Sequence, residues 1–261
     1  MKKTILKILK WSLLFAYLIV MLGFASRKSH DMPCLNKQIL IDKPHQFVSI
    51  ESVDKLLITN GINIDSCILD KINFDEIEKV LEENPYIKNT EVYSNFNGDV
   101  CITIEQRNPV MRIITDNNEI YYIDEACELM PISDEYSANV IVANGFISNS
   151  FISSTNTSAD INANDNTYPF SLKELYNYVI YLNNNELWKN QIEQIYINEN
   201  KDIELIPRVG NHIIILGDLN NYQFKMGKLE ALYKKGFALT DWNIYSSINL
   251  KYSNQVICKK R

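Results

Sequence analysis

Leu81-Glu-Glu-Asn-Pro-Tyr-Ile-Lys-Asn-Thr-Glu-Val-Tyr93 is the stretch on which the fold turns. Just upstream, Asn73 and Glu76 have capping-box spacing, and Phe74, Ile77, Val80 and Leu81 recur at the helical period. That spacing predicts a helix from Asn73 with one buried stripe. Pro85 stops it, because proline lacks the amide and clashes with the preceding turn. Two strands then follow, Ile87 to Tyr93 and Asp99 to Gln106, joined by a loop containing Asn97-Gly98. In the second, Val100, Ile102 and Ile104 alternate with Cys101, Thr103 and Glu105. One face is therefore expected against helices and the other open, with Cys101 on the open side as an accessible thiol.

Reading back toward the N-terminus, Cys34 to Asp42 carries the apolar cluster Ile39-Leu40-Ile41 of a strand. Ser49 can cap a helix in which Ile50, Val53, Leu56 and Leu57 share a face, ending at Asn60-Gly61. The order over residues 33–108 is β-α-α-β-β: a three-stranded sheet with two helices on one side.

Further back, Lys2, Lys3, Lys7 and Lys10 precede an uncharged run from Trp11 to Ser26. As helix that run spans about 24 Å, slightly short for a hydrocarbon core of about 30 Å, and snorkelling of Lys7 and Lys10 would lengthen it. The segment is expected to be a single transmembrane helix (11–26) behind a cytoplasmic tail (1–10), resting on Trp11, Leu14, Phe15, Leu18, Ile19 and Leu22. The lysines place the N-terminus in the cytoplasm. Gly23-Phe24-Ala25 leaves a cleaved signal peptide open as the alternative. Either reading exports the remainder of the chain.

Residues 109–261 read as a second, mixed β-rich domain with about two helices. Strands are expected at Met111 to Thr115, Glu119 to Ile123, Leu129 to Ile132, Val140 to Val142, Ile192 to Ile197, Ile203 to Ile206 and His212 to Leu216. Residues 148–168 are dominated by Ser, Thr, Asn, Asp and Ala and are expected to be a flexible surface loop. Ser171 and Glu174 form a capping box for a helix burying Leu172, Leu175, Tyr176, Val179 and Ile180. A last helix runs from Asn221 to Lys235, with Gly236 supplying a left-handed end. Two strands close the chain, Ser247 to Tyr252 and Gln255 to Lys259.

Composition narrows the function. A hydrophobic fraction of 46% with 22% charged residues is that of a folded protein able to fill two cores. The net charge of -6 argues against a general nucleic-acid binder, which needs a basic surface to displace phosphate counterions. The five cysteines form no CxxC, so neither a zinc site nor a thioredoxin-type motif is expected, and the pairing of any two stays open. His30, His45 and His212 stand in no recognisable catalytic motif, and GxSxG, HExxH, the Walker loop and GxGxxG are all missing. No enzyme, metal or cofactor is expected, so function must rest on surfaces.

Several segments resemble those of the FtsQ/DivIB family of bacterial cell-division proteins. The β-α-α-β-β unit behind a single anchor resembles a POTRA domain. Leu81 to Tyr93, with Asn84, Pro85 and Ile87, is similar to the family's "L…NP.I..A.V" segment. Ile104-Glu-Gln-Arg-Asn-Pro-Val110, with Glu105, Arg107 and Pro109, resembles its "V.ER.P" signature, with Gln106 where glutamate is commoner. Ile120-Tyr-Tyr-Ile-Asp-Glu-Ala-Cys127 resembles a hairpin in which glycine usually stands at Cys127. Ile248-Asn-Leu-Lys-Tyr-Ser-Asn-Gln-Val-Ile257 resembles the C-terminal "IDLRY.NQVV" segment.

The resemblance implies an α+β, non-enzymatic divisome scaffold at the septum, anchored in the inner membrane with both domains in the periplasm. The implied partners are FtsB/FtsL-type membrane proteins and other division components. Strand addition to a C-terminal edge is expected to use Lys251, Tyr252, Ser253, Asn254, Gln255, Val256, Ile257 and Lys259, with Tyr252 as anchor. The alternative for Tyr252 is core filler on an internal strand. The alternatives for the whole chain are a secreted binding or adhesin-like protein and a POTRA-bearing assembly or secretion component.

Overall fold

Helices as short as nine or ten residues are marginal in water, so the two ahead of the NP turn need a sheet to pack on. The computed structural model describes residues 10–21, 33–42, 44–65, 67–153, 168–237 and 242–261. It divides the chain into two compact units, Met1–Gln106 and Arg107–Arg261, so Arg107 and Asn108 belong with the second.

Residues 10–21 are helical (α1). Trp11, Leu14, Phe15, Leu18 and Ile19 are all exposed along it, while Leu22 and Gly23-Phe24-Ala25 lie outside the described residues. Among the described residues no helix is long and apolar enough to cross a membrane.

The rest of the first unit has strands β1 (Lys37–Ile41), β2 (Ile87–Ser94) and β3 (Val100–Gln106) and helices α2 (Ile50–Thr59) and α3 (Phe74–Glu82). The strand order is β1-β3-β2, with β1 parallel and β2 antiparallel to β3. Ser49 caps α2 in a reciprocal box with Ser52, and the Asn73 side chain accepts from the Glu76 amide to start α3. Val53 and Leu57 of α2 and Ile77 and Leu81 of α3 are buried with Val100, Ile102 and Ile104. Each such side chain contributes about 1.5–3 kcal/mol, which is what holds helices this short.

Cys101 departs from expectation. It faces the open side but is only 6% exposed, lying between Gln38 and Tyr93 in the ladder. On a central strand, neighbours on both sides cover a small side chain whichever face it takes.

The second unit is built on one nine-stranded sheet, β12-β11-β10-β9-β8-β7-β4-β5-β6. Its strands are β4 (Pro109–Ile114), β5 (Ile120–Asp124), β6 (Leu129–Pro131), β7 (Ile141–Gly145), β8 (Ile192–Ile197), β9 (Ile203–Pro207), β10 (Ile213–Gly217), β11 (Tyr245–Asn249) and β12 (Ile257–Lys260). The helices are α4 (Asn149–Ser153), α5 (Leu172–Asn183), α6 (Glu186–Gln191) and α7 (Tyr222–Lys235). Parallel pairs need crossovers. The β7/β8 crossover carries α4, α5 and α6, and the β10/β11 crossover carries α7. Ile113, Ala143, Ile195, Leu205 and Ile214 line up in register and share one core with Leu175 and Val179 of α5 and Met226 and Leu229 of α7.

Three expectations fail here, the first two through the pull of that core. The ends of the 148–168 segment are not loop: Phe151 and Ile152 of α4 are buried, and the Phe151 ring lies 4.5 Å from that of buried Tyr168. Its middle, 154–167, lies outside the described residues. Gly236 is right-handed (φ -83, ψ -53), not left-handed. The helical turn continues so that Phe237 can join Tyr233, His212 and Trp242 in an aromatic cluster. Finally, the strand expected to reach Tyr252 ends at Asn249.

Candidate partner-binding surface

The C-terminal segment leaves the sheet and returns to it. Leu250 is buried and its N–H still donates to the Ile215 carbonyl. At Lys251 the chain turns outward. The Lys251 stem crosses Gly217 (φ +81) so closely that a Cβ there would stand 2.8 Å from Cγ, and its ammonium pairs with Asp202 at 2.6 Å. Tyr252, Ser253 and Asn254 form a bend in which the Lys228 ammonium of α7 donates to the carbonyls of Leu250, Tyr252 and Ser253. Tyr252 is thus neither strand residue nor core filler: it stands 49% exposed on a bend tied to α7.

After exposed Gln255, Val256 drops onto the core and β12 pairs antiparallel with β11. Cys258 lies opposite buried Ile248 and packs on the helix side, whereas Ile257 and Lys259, opposite Asn249 and Ser247, face the other way. A bulge at Ser246 lets its hydroxyl donate to the Lys259 carbonyl at 3.1 Å. Arg261 is occupied by the Asn211 carbonyl and Lys251 by Asp202. Lys259 and Lys260 are exposed and make no ion pair with described residues.

An unpaired strand edge invites another chain, and proteins commonly block it. The β2 edge is blocked by side chains. Glu82 accepts from the Thr90 N–H at 3.1 Å and Glu78 from the Val92 N–H at 2.7 Å. These two carboxylates sit four residues apart on one face of α3, a spacing that was visible in the sequence but carried no meaning until β2 lay beside it. The β6 edge is three residues long and ends in Pro131, which has no amide to offer. The β12 edge carries neither device.

The motif residues beside the NP turn serve geometry. The Asn84 side chain accepts from the Tyr86 N–H, the Asn84 carbonyl accepts from the Ile87 N–H, and Ile87 is buried, so Pro85 sits within a hydrogen-bonded turn. Glu105 pairs with Lys88 at 2.6 Å, both exposed. Arg107 is instead half-buried in the second unit, bonded to Asp124 at 2.8 Å, and Pro109 opens β4 opposite Asp124. The two signatures are therefore split between the units.

Gln106, at a position where glutamate is commoner, stitches three backbone groups. Its Oε1 accepts from the Val48 N–H, and its Nε2 donates to the carbonyls of Asp42 and His45. A carboxylate could not make the last two bonds. Cys127, where glycine is usual, has φ +63 and so holds the left-handed conformation that glycine would adopt.

His212 is buried and hydrogen-bonded to a buried partner. Its Nε2 lies 2.8 Å from the Tyr233 hydroxyl amid Phe237 and Trp242. Burial pushes the imidazole below its ordinary pKa and the phenol well above its own. Both neutral forms are favoured, so the pair is a structural hydrogen bond within the core. Among the described residues no cluster of His, Cys, Asp and Glu could hold a metal ion. On the open face of the first unit, a shallow groove of about 400 Å³ is lined by Leu40, Asp42, Glu91, Thr103 and Glu105 among others, an acidic lining.

Comparison with known proteins agrees with this architecture. Residues 108–259 match the family described as FtsQ/DivIB, C-terminal related, and residues 35–105 match the POTRA-like domain. None of the curated proteins matches the chain.

Proposed function

Since the chain belongs to the FtsQ/DivIB, C-terminal related family and carries a POTRA-like domain ahead of it, we propose that it is a non-enzymatic scaffold of the cell-division machinery that binds a partner by strand addition at β12. The observation that carries this reading is the contrast within the nine-stranded sheet: its β6 edge is short and ends in proline, and its β12 edge is unpaired. An incoming strand would pair with the backbone of Ile257–Lys260. It would set alternate side chains beside Ile257 and Lys259 on one face and beside Cys258 on the other. Lys259 and Lys260 favour an acidic partner segment. The implied occupants are FtsB/FtsL-type membrane proteins.

Exposed Tyr252, in the bend that precedes β12, would add an aromatic contact to such a partner. The exposed apolar surface of α1 supports a single membrane anchor at the N-terminus, with its lysines cytoplasmic and both units in the periplasm at the septum.

A photo-crosslinking residue at Ile257 tests the reading in living cells. It should trap a small membrane division protein, and a fluorescent fusion should form a midcell ring. Crosslinks that instead concentrate on the acidic groove at Glu91, with none at Ile257, would overturn the β12 assignment.

A further inference from the structure

Pro33 and Ile68 form an antiparallel bridge although they are far apart in sequence. The next residue on each side, Cys34 and Cys67, therefore stand opposite one another. The Cys34 N–H donates to the Cys67 carbonyl at 2.7 Å, which fixes that alignment. Residues opposite in an antiparallel pair have Cα atoms about 4.5–5.5 Å apart with side chains on one side. A disulfide requires about 4.4–6.8 Å between Cα atoms, so the backbone already meets the condition.

We propose that Cys34 and Cys67 are a disulfide pair, closed when the folded chain meets an oxidising environment, tying the segment that enters β1 to the turn that follows α2. Its occurrence in the cell rests on the export assigned under the proposed function; the pairing itself does not.

Cys34 Sγ donates to the Asn36 carbonyl at 3.6 Å and also faces the Val100 backbone, and Cys67 Sγ donates to the Asn63 carbonyl at 2.9 Å; these are weak bonds to sulfur. Rotation about each Cα–Cβ bond is the movement needed to bring the sulfurs together. The other three cysteines are poorly placed. Cys101 is opposite Gln38, not Cys34, on the central strand, and is buried on the open side of the sheet. Cys127 follows β5 and Cys258 lies on β12, seven strand positions away, or roughly 30 Å.

Access orders the chemistry. Cys34 is 7% exposed and Cys67 is half-buried, so an external oxidant reaches Cys67 first. Burial also raises the Cys34 thiol above its ordinary pKa, which keeps it protonated until its partner is activated. The oxidant is a disulfide, either oxidised glutathione or the active-site disulfide of a thiol oxidoreductase. The Cys67 thiolate attacks one donor sulfur, forming a mixed disulfide and releasing one donor thiolate. The Cys34 thiolate then attacks Cys67 Sγ, closing the protein disulfide and expelling the second donor thiolate. The two protein thiols lose two protons and two electrons; the donor takes up both electrons, and its two thiolates take up the protons.

The test uses the full chain in detergent, equilibrated with a glutathione redox buffer, alkylated in denaturant and digested with trypsin without reduction. The expected product links peptide 29–37 to peptide 56–71, two hydrogens lighter than their sum, with Cys101, Cys127 and Cys258 alkylated. The oxidised chain should also melt roughly 10 °C above the reduced one in its first transition, a difference lost in both Cys34→Ser and Cys67→Ser. Recovery of the two peptides separately and alkylated, or of Cys34 joined to another cysteine, overturns the pairing. The same map on chain isolated from cells should show the link. A link formed in buffer but missing in cells would overturn the export premise and leave the pairing standing.

Discussion

The Gln106 side-chain amide donates to the His45 carbonyl across 2.8 Å, joining the last residue of β3 to the connection that leads into α2. The same nitrogen reaches Asp42, and the side-chain oxygen holds Val48, so one residue orders the approach to the Ser49 cap. The family-like alternative, glutamate, fits the space but not the bonding. Gln106→Glu should turn two accepted carbonyls toward a buried carboxylate and cost about 2–3 kcal/mol. Chemical denaturation of the full chain measures it; an unchanged midpoint would mean the bonds carry no net stability.

Strand addition at β12 makes a backbone claim, so a backbone substitution tests it. The Arg261 N–H donates to the Ile244 carbonyl on the β11 side, and amide direction alternates along a strand. Lys260→Pro therefore removes an amide that faces the open edge and should weaken co-purification of the division partner by at least about tenfold. Far-UV circular dichroism should be retained, because β12 is a short terminal strand. Tyr252→Glu should also preserve the fold, since that ring is outside the core. A partner bound equally well by Lys260→Pro would place the interface elsewhere.

Phe151 tests whether α4 belongs to the core. With the ring 2% exposed, tilted against Tyr168 and edge-on to Phe170, Phe151→Ala should cost about 3–5 kcal/mol. A surface loop would tolerate the change within about 0.5 kcal/mol.

His212 and Tyr233 set opposite limits on stability against pH. The folded imidazole titrates below its ordinary 6.5, so as pH falls from 6.5 toward that lower value the unfolded chain takes up the proton first and stability is lost. The folded phenol titrates above its ordinary 10.0, so above pH 10 the unfolded chain loses its proton first and stability is again lost. Their joint contribution is therefore full between about 6.5 and 10. Melting temperatures recorded from pH 8 down to pH 5 should fall less steeply in His212→Gln than in the parent chain. Parallel slopes would remove His212 from the account.

Much of the local structure was legible because its causes lie within one or two helical turns. Ser49, Asn73 and Ser171 cap the helices they were expected to cap. Gly61 and Gly98 take the positive φ that their turns require. What was not legible has longer reach. Glu78 and Glu82 read as ordinary helix-surface charges until β2 was placed alongside them. Lys228 gave no sign of holding a bend more than twenty residues later. Tyr252 continued an alternating pattern, but alternation says nothing of where a strand stops being paired, and β10 offers β11 a partner only as far as Ile215.

By itself the sequence determined the order of the strands and longer helices, though not the short α4 and α6, together with the α+β class and the family, since periodicity, caps and turn residues act locally and survive in any arrangement. The tertiary structure decided which edges are open and which thiols face each other. Cys34 and Cys67 are neighbours only because Pro33 meets Ile68 after β1 and α2 have intervened. β12 is an edge only because every other strand of its sheet lies on the β11 side of it. Both outcomes depend on register between distant segments, and register is set by the packing of the whole core.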